Sequence, residues 1–297
     1  MKWHGVMPAV TTAFNTDMSV DRESVARHVT WLVDNGCTGI VALGSLGEGA
    51  TLSFEEKVEV LETCIGALKK RVPVVAGISS LSTAEAVRLA TRAAELGCDG
   101  LMVLPPYVYS TDWREMKAHV GTIMSATELS CMLYNNPIAY GTDFLPEQIA
   151  ELAVDHPNLH AVKESSADVR RVTALRALLE NRLALFVGVD DVIVEGIRAS
   201  ATGWIAGLAN ALPKESVQLF EEARKGNEEK VVPLYQWFLP LLRMDTGPKF
   251  VQMIKLVQSQ VGMGSTRVRP PRLELEGKEL ADAMKVITRA LANRPTV

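Results

Sequence analysis

The 297-residue chain is 47% hydrophobic and 22% charged, with a formal net charge of −4, the balance of a globular protein long enough to bury a large core. That charge excludes a basic footprint for nucleic acid, and no run of like charges marks an interaction tail. No apolar run approaches the roughly 20 residues of a membrane span. The opening Met1-Lys2-Trp3-His4-Gly5 leads into a strand and not into an apolar leader core, so no membrane partner and a cytoplasmic location are expected.

In chain order, Gly5 to Thr12 reads as a short strand and Asp21 to Asn35 as a helix, with Val25, Val29, Leu32 and Val33 on one face before Gly36. Ile40 to Leu43 is the second strand. It runs into Gly44-Ser45-Leu46-Gly47-Glu48-Gly49, after which Ser53 and Glu56 spell a capping box for a helix to about Lys69. Pro73 to Ile78 is strand, and Ser82 with Glu85 repeats the capping signal for a helix stopping at Gly97. Gly100 to Leu104, Cys131 to Tyr134, Leu159 to Lys163, Leu185 to Val189 and Trp204 to Leu208 complete a set of strands alternating with helices at Trp113 to Ala126, from Pro146, at Val169 to Glu180 and at Asp191 to Ala199.

Short apolar strands without in/out alternation are expected where helices cover a parallel sheet. Eight strand-helix units in about 225 residues fit a (β/α)₈ barrel. Gly36-Cys37-Thr38-Gly39-Ile40 and Gly97-Cys98-Asp99-Gly100-Leu101 repeat one helix-stop, strand-start device, and no dinucleotide fingerprint follows the first strand. Residues 1–226 are expected to form the barrel carrying the active site. Residues 227–297 read as about three helices broken at Pro240, Gly247-Pro248 and Pro270-Pro271, packed on the barrel.

No zinc or redox pattern is signalled by Cys37, Cys64, Cys98 and Cys131, which lie far apart and form no C-x-x-C pair. His156 and His160 have helical ligand spacing, but Pro157 lies between them, so no metal site is expected.

In such a barrel the chemistry sits at the C-terminal strand ends. The second strand ends in a turn whose backbone N–H groups can form a carboxylate nest, with the Ser45 hydroxyl beside it. The fifth ends at Tyr134-Asn135-Asn136-Pro137. The sixth delivers Lys163. Burying an ammonium costs desolvation free energy and favours the neutral amine, a nucleophile able to form a Schiff base with a carbonyl. Taken alone, the segment favours a lysine that snorkels or pairs with Glu164, as is common at strand ends. Asp190 and Asp191 fit helix caps, or groups holding a substrate hydroxyl.

Gly44-Ser45-x-Gly47-Glu48, Tyr134-Asn135-x-Pro137 with Gly141, and Val162-Lys163-Glu164-Ser165 together resemble the N-acetylneuraminate lyase / dihydrodipicolinate synthase family. The likeness extends through Pro105-Pro106-Tyr107, Gly188-Val189-Asp190-Asp191 and Gly203 to Asn210. It implies a (β/α)₈ barrel with a C-terminal helical region, assembled as a homotetramer of tight dimers, and class I lyase chemistry without a metal or organic cofactor. By the same resemblance Lys163 forms the imine, Tyr134 moves protons, Ser45 relays them, and Tyr107 reaches in from a neighbouring subunit. The substrate carboxylate lies on the amides of Ser45 and Leu46, while Gly188, Asp190 and Gly207 contact the rest of the substrate.

Three departures bear on the substrate. Dihydrodipicolinate synthases carry a carboxylate-binding arginine where this chain has Ala139, and a second hydroxyl residue where it has Leu46. N-acetylneuraminate lyases carry a serine where it has Gly207. Tyr134-Asn135-Asn136-Pro137-Ile138-Ala139-Tyr140 and Leu241-Leu242-Arg243-Met244-Asp245 look similar instead to the 1-pyrroline-4-hydroxy-2-carboxylate deaminases of hydroxyproline breakdown. The expected partner is therefore a small 2-oxo acid or cyclic imino acid. Alternatives are an aldolase or dehydratase of 2-oxo-3-deoxy sugar acids, a dihydrodipicolinate synthase, and a non-catalytic 2-oxo acid sensor.

Overall fold

A computed structural model of the protein describes residues 1–108 and 112–296. Eight strands, β1 (Gly5–Pro8), β2 (Ile40–Ala42), β3 (Val74–Ile78), β4 (Gly100–Val103), β5 (Ser130–Asn135), β6 (Leu159–Glu164), β7 (Ala184–Val187) and β8 (Gly203–Ala206), pair in parallel in the order β1-β8-β7-β6-β5-β4-β3-β2. The ends of that order meet, because Ala9 bridges Val41 and the Val10 N–H donates to the Val41 carbonyl at 2.9 Å. A sheet closed in this way is the expected (β/α)₈ barrel. Nearly every strand residue is buried, as strands covered on both faces require.

Around the barrel run α1 (Arg22–Asp34), α2 (Phe54–Leu68), α3 (Thr83–Leu96), α4 (Trp113–Met124), α5 (Pro137–Tyr140), α6 (Pro146–Asp155), α7 (Arg170–Leu179), α8 (Ile193–Arg198) and α9 (Pro213–Lys225). Ser53 and Glu56 form both halves of the capping box of α2, and the Ser82 hydroxyl accepts the Glu85 N–H at the start of α3. Gly36 and Gly97 adopt left-handed φ values of 96° and 88°. The next residue then turns back, Cys37 N–H to the Leu32 carbonyl and Cys98 N–H to the Ala93 carbonyl, so the repeated motif is one helix-ending device used twice. All four cysteines are buried, and burial pushes each thiol up to about 12, which removes them as nucleophiles.

Three differences from the sequence reading have physical reasons. The four-residue α5 is too short to show a helical period. The eighth strand stops at Ala206, and Leu208–Asn210 coil into a 3₁₀ turn. Pro240 does not break a helix: with Pro233 it lies inside α10 (Glu228–Leu242), whose buried Leu234, Phe238, Leu241 and Leu242 outweigh the local propensity. Beyond it, α11 (Phe250–Gln260) and α12 (Gly277–Ala292) complete the C-terminal region. No helix among the described residues is long and apolar enough to cross a membrane.

Candidate active site

Strand alternation decides which side chains meet inside the barrel. Lys163 is paired with Tyr134 on β5 and with Phe186 on β7, so the lysine and the phenol are neighbours on adjacent strands. Lys163 Nζ lies 3.9 Å from the centre of the Tyr134 ring. Glu164 points the other way. Its carboxylate accepts from Asn135 Nδ2 at 3.0 Å and from the Ser166 N–H at 2.7 Å, and burial pushes it above the usual carboxylate range. Pairing of Lys163 with Glu164 is thereby removed, and among the described residues Lys163 makes no ion pair. Gly188, at the end of β7, leaves it room: a Cβ there would lie 2.4 Å from Lys163 Cε and 2.0 Å from Ser165 Oγ.

Lys163 opens into a cavity of about 610 Å³ at the C-terminal ends of the strands. Ser45, Leu46, Tyr134, Tyr140, Gly188 and Gly207 line it with the lysine. The turn from Gly44 to Glu48 closes on itself through Glu48 N–H to the Ser45 carbonyl at 3.1 Å and Gly49 N–H to the Gly44 carbonyl at 3.2 Å. Among the described residues no internal acceptor takes the Ser45 or Leu46 N–H, which leaves two amide donors for an anionic group.

The phenols form a cluster. Ser45 Oγ is hydrogen-bonded to the Tyr140 hydroxyl, and the Tyr140 ring stands 5.8 Å from Tyr134 and 5.0 Å from Tyr107 between ring centres. Asn136 donates to the Tyr134 hydroxyl at 2.9 Å. Desolvation, then the neighbouring Tyr134, holds Tyr140 well above the ordinary phenol range, so it is a protonated donor at neutral pH. Tyr107 is half-buried and donates to the Ser79 carbonyl at 3.1 Å; it touches the site through Tyr140 and does not line the cavity. Tyr140 and Asn136, to which sequence reasoning could assign no role, thus stand where Ser45 and Tyr134 need partners.

Asp190 is turned inward. Fully buried, it accepts from Trp204 Nε1 at 2.9 Å, Gly207 N–H at 3.0 Å and Leu208 N–H at 2.7 Å. It is neither the helix cap nor a cavity wall but a clamp shaping the turn after β8, and burial pushes it up to about 6. Asp191 does line the cavity, 3.6 Å from Arg243.

What the sequence did not place is the wall formed by the C-terminal region. Asp245, Thr246, Phe250 and Arg272 all face this cavity. Glu48 ties that region to the amide turn: it pairs with Lys255 at 2.6 Å, accepts the Arg269 N–H at 2.9 Å, and lies 4.0 Å from Arg272. Lys255 and Glu48 are both buried, which makes this a desolvated ion pair. The only sequence signal was the Arg243-Met244-Asp245 stretch, which carried no spacing rule linking it to Lys163.

A buried lysine over a phenol at the barrel mouth, without an ion-pair partner among the described residues, is an arrangement that can support Schiff-base chemistry. The family profile described as "Dihydrodipicolinate synthetase family" matches residues 2–290. The chain belongs to this family. A 4-hydroxy-tetrahydrodipicolinate synthase of Geobacter metallireducens is 34% identical over 231 residues, covering 78% of this chain and 79% of the relative. One of Haloarcula marismortui is 32% identical over 282 residues, covering 94% and 90%. Among solved structures, YagE, a prophage protein of the dihydrodipicolinic acid synthase family from E. coli K12 in complex with pyruvate, superposes with a TM-score of 0.92 at 26% identity, covering 98% of this chain and 99% of that one. Members of the dihydrodipicolinate synthetase family are class I Schiff-base lyases, and the chain is an enzyme of this family.

Proposed function

We propose that this family member acts on a small 2-oxo acid or cyclic imino acid bearing one carboxylate, and that its substrate is 1-pyrroline-4-hydroxy-2-carboxylate, converted to 2,5-dioxopentanoate and ammonia. The observation that carries the reading is the composition of the cavity. It holds one lysine and one amide turn, Asp191 and Asp245 stand on its wall, and Ala139 replaces the arginine of dihydrodipicolinate synthases.

In this reading Lys163 attacks C2 of the ring imine, and the C2–N bond to the ring nitrogen breaks. That nitrogen leaves as an amine, taking the proton of Tyr134, and the substrate is left as an imine of Lys163. Tyr134 then accepts the C3 proton, the protonated imine storing the electron pair as an enamine. Expulsion of the 4-hydroxyl as water and hydrolysis at C5 and C2 release ammonia and product. One water leaves and two enter, which balances the net consumption of one water. The Ser45 and Leu46 amides hold the carboxylate, and Ser45 with Tyr140 passes protons to Tyr134. The reading includes a homotetramer of tight dimers, with Tyr107 and the exposed Val108 and Ile138 at the contact between subunits, and action in the cytoplasm without metal or organic cofactor.

The test is ammonia and 2,5-dioxopentanoate release by the wild type and by Lys163→Ala side by side. Both products are expected from wild type alone. Ammonia from neither protein, with borohydride still trapping pyruvate on Lys163, would discard the substrate and keep the imine. A second reading, dihydrodipicolinate synthase, is favoured by Arg272, a cation on the same cavity that could hold a second carboxylate. Condensation of pyruvate with L-aspartate 4-semialdehyde in parallel tubes decides between the two.

A further inference from the structure

Three acidic side chains gather beside the cavity, Asp191 and Asp245 on its wall and Asp190 behind it, and two of them are already committed. Asp190 spends its oxygens on Trp204, Gly207 and Leu208, and Asp191 faces the guanidinium of Arg243. Asp245 has neither a hydrogen bond to its carboxyl nor an ion pair among the described residues, and it lines the cavity with Lys163. Its place depends on a missing side chain. A Cβ on Gly207 would lie 2.1 Å from Asp245 Oδ1 and 2.5 Å from its Cγ, so any other residue at position 207 would evict the carboxyl.

We infer that Asp245 is the general acid that protonates the departing hydroxyl, and that Gly207 is glycine in order to admit it. The inference rests on the hydroxylated imino-acid reading above. Elimination of hydroxide from carbon is slow unless the leaving oxygen receives a proton as the bond breaks. In the step assigned to Asp245, the enamine electron pair forms the C3=C4 bond and the C4–O bond breaks. The oxygen takes the Asp245 proton and departs as water, and the carboxylate is reprotonated from solvent. Desolvation first, and the nearby Asp190 second, hold Asp245 well above the usual carboxylate range against the opposing charge of Lys163, which favours the protonated form that the step requires.

The experiment compares wild type, Asp245→Asn and Gly207→Ala on 1-pyrroline-4-hydroxy-2-carboxylate, reading ammonia release and the mass of the borohydride-trapped adduct on Lys163. Asp245→Asn preserves shape and hydrogen bonding but holds no acidic proton. The expected result is a loss of ammonia release of about 10²-fold or more, with the adduct still forming and still carrying its hydroxyl. Wild-type adduct should be one water lighter. Gly207→Ala should reproduce the loss by displacing Asp245, and retained trapping of pyruvate shows that each variant keeps a folded site. Ammonia release by Asp245→Asn within about threefold of wild type, well below a general-acid effect, overturns the role of Asp245 and leaves the deaminase reading standing. No ammonia from wild type overturns that reading and this inference with it.

Discussion

The two walls of the cavity are held by different forces. Lys163 and Tyr134 sit on neighbouring strands, where backbone pairing fixes their register and alternation fixes their direction. Asp245, at the end of a 3₁₀ turn, and Arg272, on a loop, belong to the C-terminal region, held against the barrel by the buried Glu48–Lys255 pair and by side chains crossing the seam. The reacting end therefore has the stiffness of the sheet. The selecting end can be changed by substitutions in one appended segment without disturbing the strands, which is how a single imine chemistry comes to serve many substrates on one fold.

The largest effect should come from breaking the seam. Lys255→Met leaves Glu48 as a buried charge without its closest partner, at a cost of roughly 3–5 kcal/mol. Urea unfolding measures it, and a change under about 1 kcal/mol, the scale of an exposed pair, would show that the walls are not held differently. Whatever folds should bind pyruvate more weakly, because Glu48 also shapes the amide turn.

Acid attacks the same seam. His28 is buried, with Nε2 donating to the Asn210 carbonyl at 2.9 Å, while Asn210 holds the Ala9 carbonyl just past β1 at 2.8 Å and Thr11 Oγ1 bonds Gln258 of α11. Burial lowers the imidazole from 6.5 to about 4. Between those values the unfolded chain binds the extra proton, so stability is full above pH 6.5 and falls as pH drops towards 4, by roughly 3 kcal/mol. Unfolding free energies at pH 7 and 4.5 should differ less in His28→Gln than in wild type; equal slopes would exclude His28 as the source.

On the strand wall the effects should be catalytic and not structural. Tyr134→Phe should leave melting unchanged and lower turnover by about 10²-fold, with pyruvate still trapped on Lys163. Undiminished turnover would remove the phenol from proton transfer. The smallest expected change is that of Tyr140→Phe, which breaks the bond to Ser45 and should slow turnover about tenfold, roughly 1.4 kcal/mol in the barrier. A larger fall in pyruvate affinity than in turnover would make Tyr140 a binding group.

Much of this molecule can be read from its residues in order. Apolar strand runs, capping boxes and glycine stops are local, so eight strand-helix units were countable, and the barrel followed from their number and length. Lys163, Tyr134 and the Gly44–Glu48 turn were legible because they end predicted strands, and in a barrel all strand ends share one face. The short α5, the intact α10 and the inward turn of Asp190 were not, since each depends on packing partners distant in the chain. The same reason hid the second wall. Lys255 is 207 positions from Glu48, and no periodicity spans such a gap. The sequence by itself determined the barrel and the strand ends that carry Lys163 and the phenol beside it, because local patterning and strand register suffice for them. Only the tertiary structure decided that Asp245 enters the space left by Gly207, because that contact exists only once the C-terminal helices have folded back over the barrel mouth.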